Sequence, residues 1–299
     1  MMKKWIKATT AALTIAGVLS AGSATMAASA PKAPIKMFID GRLQEDVLNV
    51  NGRTMVQLTA FNDPEKLKYS YETASKTIVI QNPARKLTVR LKDGLKSADV
   101  NGKKVPLDAP VTVKKGRTYV PVRFVTETLG GTVGTDSTGK QIIVRTPSGE
   151  ERFKTLRNGD LTEARKVALD TFGIDNGINI TPYGEGMTFE YIFPQGEALR
   201  YTMEYRGLIT YYEINENGIK EVIWEKDLYG KNGEAGKEPK PFGDSVYFSD
   251  RIMADWLAYG TVDSKGKQTE LGFIDRNKNK ELPKIIIMPI EGEVRTDIK

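Results

Sequence analysis

Lys115-Gly116-Arg117-Thr118-Tyr119-Val120-Pro121-Val122-Arg123-Phe124-Val125-Thr126-Glu127-Thr128-Leu129-Gly130-Gly131 reads as a turn, a strand and a capped helix in immediate succession. Lys115-Gly116 supplies the turn, because glycine takes positive φ at little cost. Thr118-Tyr119-Val120 has the β-branched and aromatic composition of a half-buried strand. Pro121 lacks a ladder donor and ends that strand. Phe124, Val125 and Leu129 then recur at helical spacing, with Gly130-Gly131 as the stop.

Working outward, the unit has an earlier copy. Ile35-Lys36-Met37-Phe38-Ile39 and the turn Asp40-Gly41-Arg42 precede Asn51-Gly52-Arg53, which leads into Thr54-Met55-Val56-Gln57-Leu58 and closes on Lys76-Thr77-Ile78-Val79-Ile80. The later copy runs from Asn101-Gly102-Lys103 through Gly116 to Lys140-Gln141-Ile142-Ile143-Val144. Asn-Gly and Asp-Gly between apolar runs predict hairpins. Gly52 to Ile78 spans 26 positions, as does Gly116 to Ile142; Arg53 to Tyr69 and Arg117 to Val133 both span 16. Equal spacing across a strand, a helix-length segment and a closing strand predicts a duplicated unit. Only the opening hairpins differ, with 11 positions from Gly41 to Gly52 and 14 from Gly102 to Gly116.

Asn101-Gly102-Lys103 with Gly116-Arg117-Thr118-x-Val120-Pro121-x-Arg123-Phe124-x-x-Glu127-x-Leu129-Gly130 resembles the copper amine oxidase N-terminal-like domain, a stalk module frequent in exported proteins of Firmicutes. The resemblance covers residues 35–146, as repeats 35–82 and 87–146. The first repeat departs from it: Gln57 and Thr59 replace Pro and Arg, and Asn62 to Lys66 lacks the Glu-x-Leu-Gly ending. That departure bears on the first repeat's helix rather than its strands. Thr135 stands where many members have tryptophan. The resemblance implies an accessory module only, since the enzymes' copper and quinone chemistry uses histidine ligands in a separate catalytic domain. Read from the residues, Gly116, Arg117, Val120, Pro121, Arg123, Phe124, Glu127, Leu129 and Gly130 form a structural motif. Arg123 and Glu127, four apart, share a helix face and pair for about 0.3–0.5 kcal/mol; the sharper alternative is an anion or substrate clamp. Arg117 is expected to partner a carbonyl or carboxylate.

Composition bounds the chemistry. The 299 residues contain no cysteine and no histidine. Disulfide scaffolds, thiolate metal sites, Ser-His-Asp triads and imidazole metal sites are therefore excluded. Lys3, Lys4 and Lys7 precede an uncharged apolar run from Ala8 to Val18, and Ala24 to Ala30 offers small-residue cleavage sites. This is the pattern of a signal peptide over residues 1–28, and predicts a secreted or cell-surface protein, with no membrane contact after cleavage. Residues 31–150 hold 20 Lys and Arg against 12 Asp and Glu, whereas residues 151–299 hold 21 against 26. The basic first part suits an anionic cell-wall polymer or glycan as partner. Nucleic acid fits poorly, because the basic part has few aromatics.

Residues 147–152 read as a linker to a β-rich domain over 153–299. Asp160 or Thr162 caps a predicted helix to Phe172, ended by Gly173. Strands follow at 187–193, 199–205, 209–214 and 221–225 as an antiparallel meander, then a mobile loop at 231–240, a short helix at 250–259, and strands at 268–274 and 284–290. Glu190, Glu204, Glu213 and Glu225 alternate with Tyr191, Tyr201, Tyr205, Tyr211 and Trp224. Such a face could bind a sugar, and a carboxylate pair on it could hydrolyse one. Asp275, Asn277 and Asn279 resemble the opening of a calcium loop, but Lys280 and Ile286 occupy its glycine and glutamate positions, so no cofactor is expected. The fold class is α+β: a duplicated antiparallel-sheet-plus-helix stalk domain, then a β-rich α+β domain. The function expected is non-catalytic binding or scaffolding at the cell wall or outside the cell. A glycan hydrolase using a Glu/Asp pair and a self-assembling surface or spore component are the alternatives.

Overall fold

The computed structural model describes residues 35–278, 285 and 287–298. The signal peptide read at residues 1–28 lies outside them. The described chain is a strand-dominated mixture with three α-helices, in keeping with an α+β class. Its first part contains β1 (Lys36–Ile39), β2 (Arg42–Gln44), β3 (Val47–Val50), β4 (Arg53–Gln57), a 3₁₀ turn (Leu58–Phe61), β5 (Lys68–Glu72), β6 (Thr77–Asn82), β7 (Leu87–Lys92) and β8 (Ser97–Val100). It continues with β9 (Lys103–Pro106), β10 (Thr112–Lys114), β11 (Arg117–Pro121), α1 (Val122–Leu129), β12 (Thr132–Thr135) and β13 (Gln141–Arg145).

Asn51-Gly52 and Lys115-Gly116 take positive φ at both positions, 52° and 77°, then 51° and 73°. These are the two-residue turns whose twist matches that of paired strands. Three sheets result, in the orders β12-β13-β1-β2, β10-β11-β4-β3 and β5-β6-β7-β8-β9. β1 and β13 pair in parallel, so the part's two ends close on each other. β4 and β11 pair antiparallel with Val56 opposite Val120, residues 64 positions apart. Met37, Val56, Ile80, Leu91, Val120 and Leu129 belong to one buried aliphatic core.

The stretch that follows β11 behaves as its sequence predicts. Pro121 ends the strand, α1 follows at once, and Gly130 stops it at φ 95° with its N–H on Thr126 O at 3.1 Å. The first repeat has only the 3₁₀ turn in place of that helix. Pro64 accounts for the difference, because it lacks a donor and disfavours the α conformation at Asp63.

The second part contains α2 (Pro147–Asn158), α3 (Leu161–Asp170), β14 (Gly173–Ile174), β15 (Thr188–Pro194), β16 (Arg200–Tyr205), β17 (Leu208–Ile214), β18 (Lys220–Asp227), β19 (Glu234–Gly236), β20 (Ser245–Arg251), β21 (Trp256–Val262) and β22 (Gln268–Asp275). Strands β15 to β18 form the expected antiparallel meander, and β20 to β22 extend the same large sheet from the β15 edge. The 147–152 linker is instead the start of α2: Thr146 caps it by accepting the Gly149 N–H at 3.1 Å, and Pro147 fits the first helical turn. The 250–259 helix is a β20–β21 hairpin closed by a 3₁₀ turn at Ile252–Ala254. Its apolar spacing misleads because Ile252 and Met253 are exposed. The 231–240 loop contributes β19; of the strand read at 284–290, residues 284 and 286 lie outside the described residues and 285 and 287–290 form no strand.

Two carboxylates fasten the parts together at the start of α2. Asp40 accepts the Thr146 N–H at 2.9 Å and its hydroxyl at 2.7 Å; Asp63 accepts the Ser148 N–H at 2.9 Å and its hydroxyl at 2.8 Å. Burial pushes the Asp40 carboxyl above its ordinary value despite these bonds. Beside them the Arg145 guanidinium lies 3.5 Å from the Phe153 ring centroid and donates to Asn217 O at 3.0 Å.

Candidate ligand grooves

The aromatic residues singled out in the second part do not make one face. Cross-strand register puts Tyr191, Tyr201 and Tyr205 on one side of the large sheet, and Tyr211 and Trp224 on the other. Tyr201 is in the core against Phe193 and Tyr212. Tyr191 packs on the same core, and Tyr205 stacks on Phe189 at 4.3 Å. Tyr211 is buried with its hydroxyl on Glu213 at 2.6 Å, and buried Trp224 donates to Glu234 at 2.9 Å. On the Tyr191 and Tyr201 side the sheet is covered where alternation alone suggested a solvent face, because α2, α3 and residues 287–290 pack on it.

The carboxylates separate as well. Glu190 stands directly opposite Glu204, and burial followed by the Glu204 charge raises its carboxyl above the ordinary value. Glu213 is opposite Arg200. Glu225 is buried, accepting the Ile180 N–H at 2.6 Å and the Thr210 hydroxyl at 3.1 Å. Asp275 accepts the Asn277 N–H and pairs with Lys278 at 3.4 Å, while Asn279 lies outside the described residues.

The motif residues fare differently. Val120 and Leu129 are core, Phe124 packs beside them, and Pro121 and Gly130 bound their elements. Arg123 and Glu127 pair at 3.8 Å in solvent. Gly116 and Arg117, however, line the wall of a groove of ≈ 670 Å³. Tyr69, Ser70 and Tyr71 of β5 face them, over a floor that includes Leu58 and Ile78. β5 is an edge strand, which is why its tyrosines stay 38% and 58% exposed. The Tyr69 hydroxyl donates to Phe61 O at 2.5 Å, and burial raises its pKa far above the usual phenol range. Arg117 pairs with Asp46, which also accepts from Gln57 at 2.7 Å.

A second groove, of ≈ 320 Å³, has the same plan. Gly52, Arg53 and Thr54 take the places of Gly116, Arg117 and Thr118, and Val133, Gly134 and Thr135 those of Tyr69, Ser70 and Tyr71, each at a separation of 64 positions. Arg53 pairs with Asp108 at 3.3 Å, as Arg117 does with Asp46. In each groove a Gly-Arg-Thr turn lies with strand residues distant from it in sequence, Gly116 with Tyr69 to Tyr71 and Gly52 with Val133 to Thr135. Sequence reasoning used Tyr69 only to check register. The overlooked signal is Lys68-Tyr69-Ser70-Tyr71-Glu72, an alternating strand whose repeat lacks the motif's helix.

No curated protein matches the chain. Residues 42–144 match the model of the copper amine oxidase N-terminal domain, a stretch that contains both grooves and not the catalytic domain of those enzymes. The first part of this chain is thus a copper amine oxidase N-terminal-like domain.

Proposed function

We propose that the chain is a non-catalytic, exported binding or scaffolding protein of the cell wall or extracellular space. The observation that carries this reading is the ≈ 670 Å³ groove in the family domain, walled by exposed tyrosines and a guanidinium already paired to a carboxylate. Open walls of that kind suit binding, and none of the groove's lining residues is a carboxylate that could do acid–base work. The domain is read as a doubled unit, on the strength of the Val56–Val120 register and the matched grooves. Residues 35–146 and 153–299 are its two domains, with α2 as their shared joint. The apolar run at residues 8–18 supports export. The test is retention of the chain from residue 31 onward on purified cell wall across a salt series; no retention at low salt overturns the reading.

Glu190 supports a second reading, a glycan hydrolase in the later part, since a carboxyl whose proton affinity is raised by burial and by a neighbouring carboxylate suits a general acid. Turnover on a glycan panel that Glu190→Gln abolishes would establish it; inactivity on every glycan removes it.

A further inference from the structure

We infer that the Tyr69–Tyr71 groove binds an uncharged chain of pyranose sugars and that the related groove at Val133 to Thr135 does not. This rests on the binding reading above and narrows it to a ligand class and an address.

The aromatic surface comes first. Tyr69 and Tyr71 lie on one face of an edge strand, opposite Ile80 and Ile78 on β6, and both are exposed. Two residues of strand separate them by roughly 6.6–6.8 Å, so they offer successive platforms along an extended ligand. Sugar rings present C–H faces to such platforms. The bond from the Tyr69 hydroxyl to Phe61 O holds the first ring before any ligand arrives, which lowers the ordering cost of binding.

Polar groups and charge then select among ligands. Thr59, Asn62 and Thr118 line the same groove and carry hydroxyls and an amide, the neutral donors and acceptors that sugar hydroxyls match. The guanidinium that lines the groove is compensated, Arg117 by Asp46, as is Glu72 of β5 by Arg90. A polyanion therefore finds no free cation in these pairs, whereas an uncharged polyol loses nothing by their pairing.

The second groove is an internal control. It keeps the Gly-Arg-Thr turn and the Arg–Asp pair, yet Val133, Gly134 and Thr135 give it no aromatic surface and about half the volume, ≈ 320 against ≈ 670 Å³.

Calorimetric titration of the chain from residue 31 onward with cellohexaose and chitohexaose, and with polyglycerol phosphate as an anionic probe, tests the assignment. The expected result is hexasaccharide binding that salt leaves unchanged, that Tyr71→Ala weakens by about tenfold, and that Thr135→Ala does not alter. Because Tyr71 is 58% exposed, Tyr71→Ala should melt with the parent, which a thermal scan checks. Three results overturn the inference: no hexasaccharide binding, equal binding by Tyr71→Ala, or binding of polyglycerol phosphate alone with release by salt. Retention on whole wall without hexasaccharide binding removes the groove assignment and leaves the wall-binding reading standing. Loss of both removes both.

Discussion

Among the described residues of the two parts, ion pairs shielded from solvent on both sides occur in the second part alone. In the first part, Arg53–Asp108, Arg90–Glu72, Arg117–Asp46 and Arg123–Glu127 all lie in solvent, around a core that is aliphatic and aromatic. In the second, Arg165 and Glu293 pair with side chains 1% and 3% exposed, and Arg295 pairs with Asp297 at 8% and 7%. Arg165 also donates to Glu197 O at 2.9 Å, and Glu293 accepts the Gly196 N–H at 2.8 Å. Arg295 reaches the carbonyls at the end of α2, Leu156 O at 2.5 Å and Gly159 O at 2.7 Å. The first part is held by packing and turn geometry. The second is sewn shut by its own last residues through desolvated ions, so its stability depends on single partners.

That contrast can be broken most forcefully at Arg165. Arg165→Ala strands the Glu293 carboxylate in the interior, and should cost about 3–5 kcal/mol in urea unfolding. The double replacement Arg165→Met with Glu293→Met should recover most of the loss, since no unpaired charge remains. If the single and double variants are equally unstable, packing rather than the ion pair holds the tail.

The matching lesion in the first part is Leu129→Ala. It removes apolar core instead of a charge, and should cost about 2–5 kcal/mol by the same measurement, with no salt dependence.

Lys220 sharpens the comparison through pH. Its amine donates to Ala168 O and Leu169 O at 3.3 Å, and to the Tyr201 hydroxyl at 3.2 Å, at the end of α3. Burial lowers its pKa from 10.5 to about 8. Folding thus weakens proton binding here, and the unfolded chain holds more protons between those values. Stability should rise on the order of 1–3 kcal/mol as pH climbs through that window. Denaturant midpoints should show this rise in the parent and a flatter profile in Lys220→Met.

The smallest effect is expected at the surface pairs. Arg123→Ala should change stability by less than about 0.5 kcal/mol, and 1 M salt should erase the difference. A larger loss would mean that the solvent-facing pairs of the first part carry stability as the buried ones of the second do.

Much of this architecture is legible in order along the chain. The Gly52 and Gly116 turns, the strand stop at Pro121, the Gly130 helix stop, the Asp160 cap and the β15–β18 meander all follow from local stereochemistry and from neighbours a few residues away. The misreadings have two causes. At 147–152 the signals of a helix start are local, Thr146 as its cap and Pro147 in its first turn, whereas helix and hairpin at 250–259, and solvent face and core at Tyr201, differ in what packs against them. The sequence by itself thus determined the turns, the strand and helix periods, the family of residues 42–144 and the absence of thiol and imidazole chemistry, because each depends on residue type or short-range spacing. Only the tertiary structure decided which tyrosines meet solvent, that the Gly52 and Gly116 turns share grooves with residues 133–135 and 69–71, and that Arg165 finds Glu293 from 128 positions away. Those outcomes depend on which distant surfaces exclude water from one another, and no short window of sequence contains both surfaces.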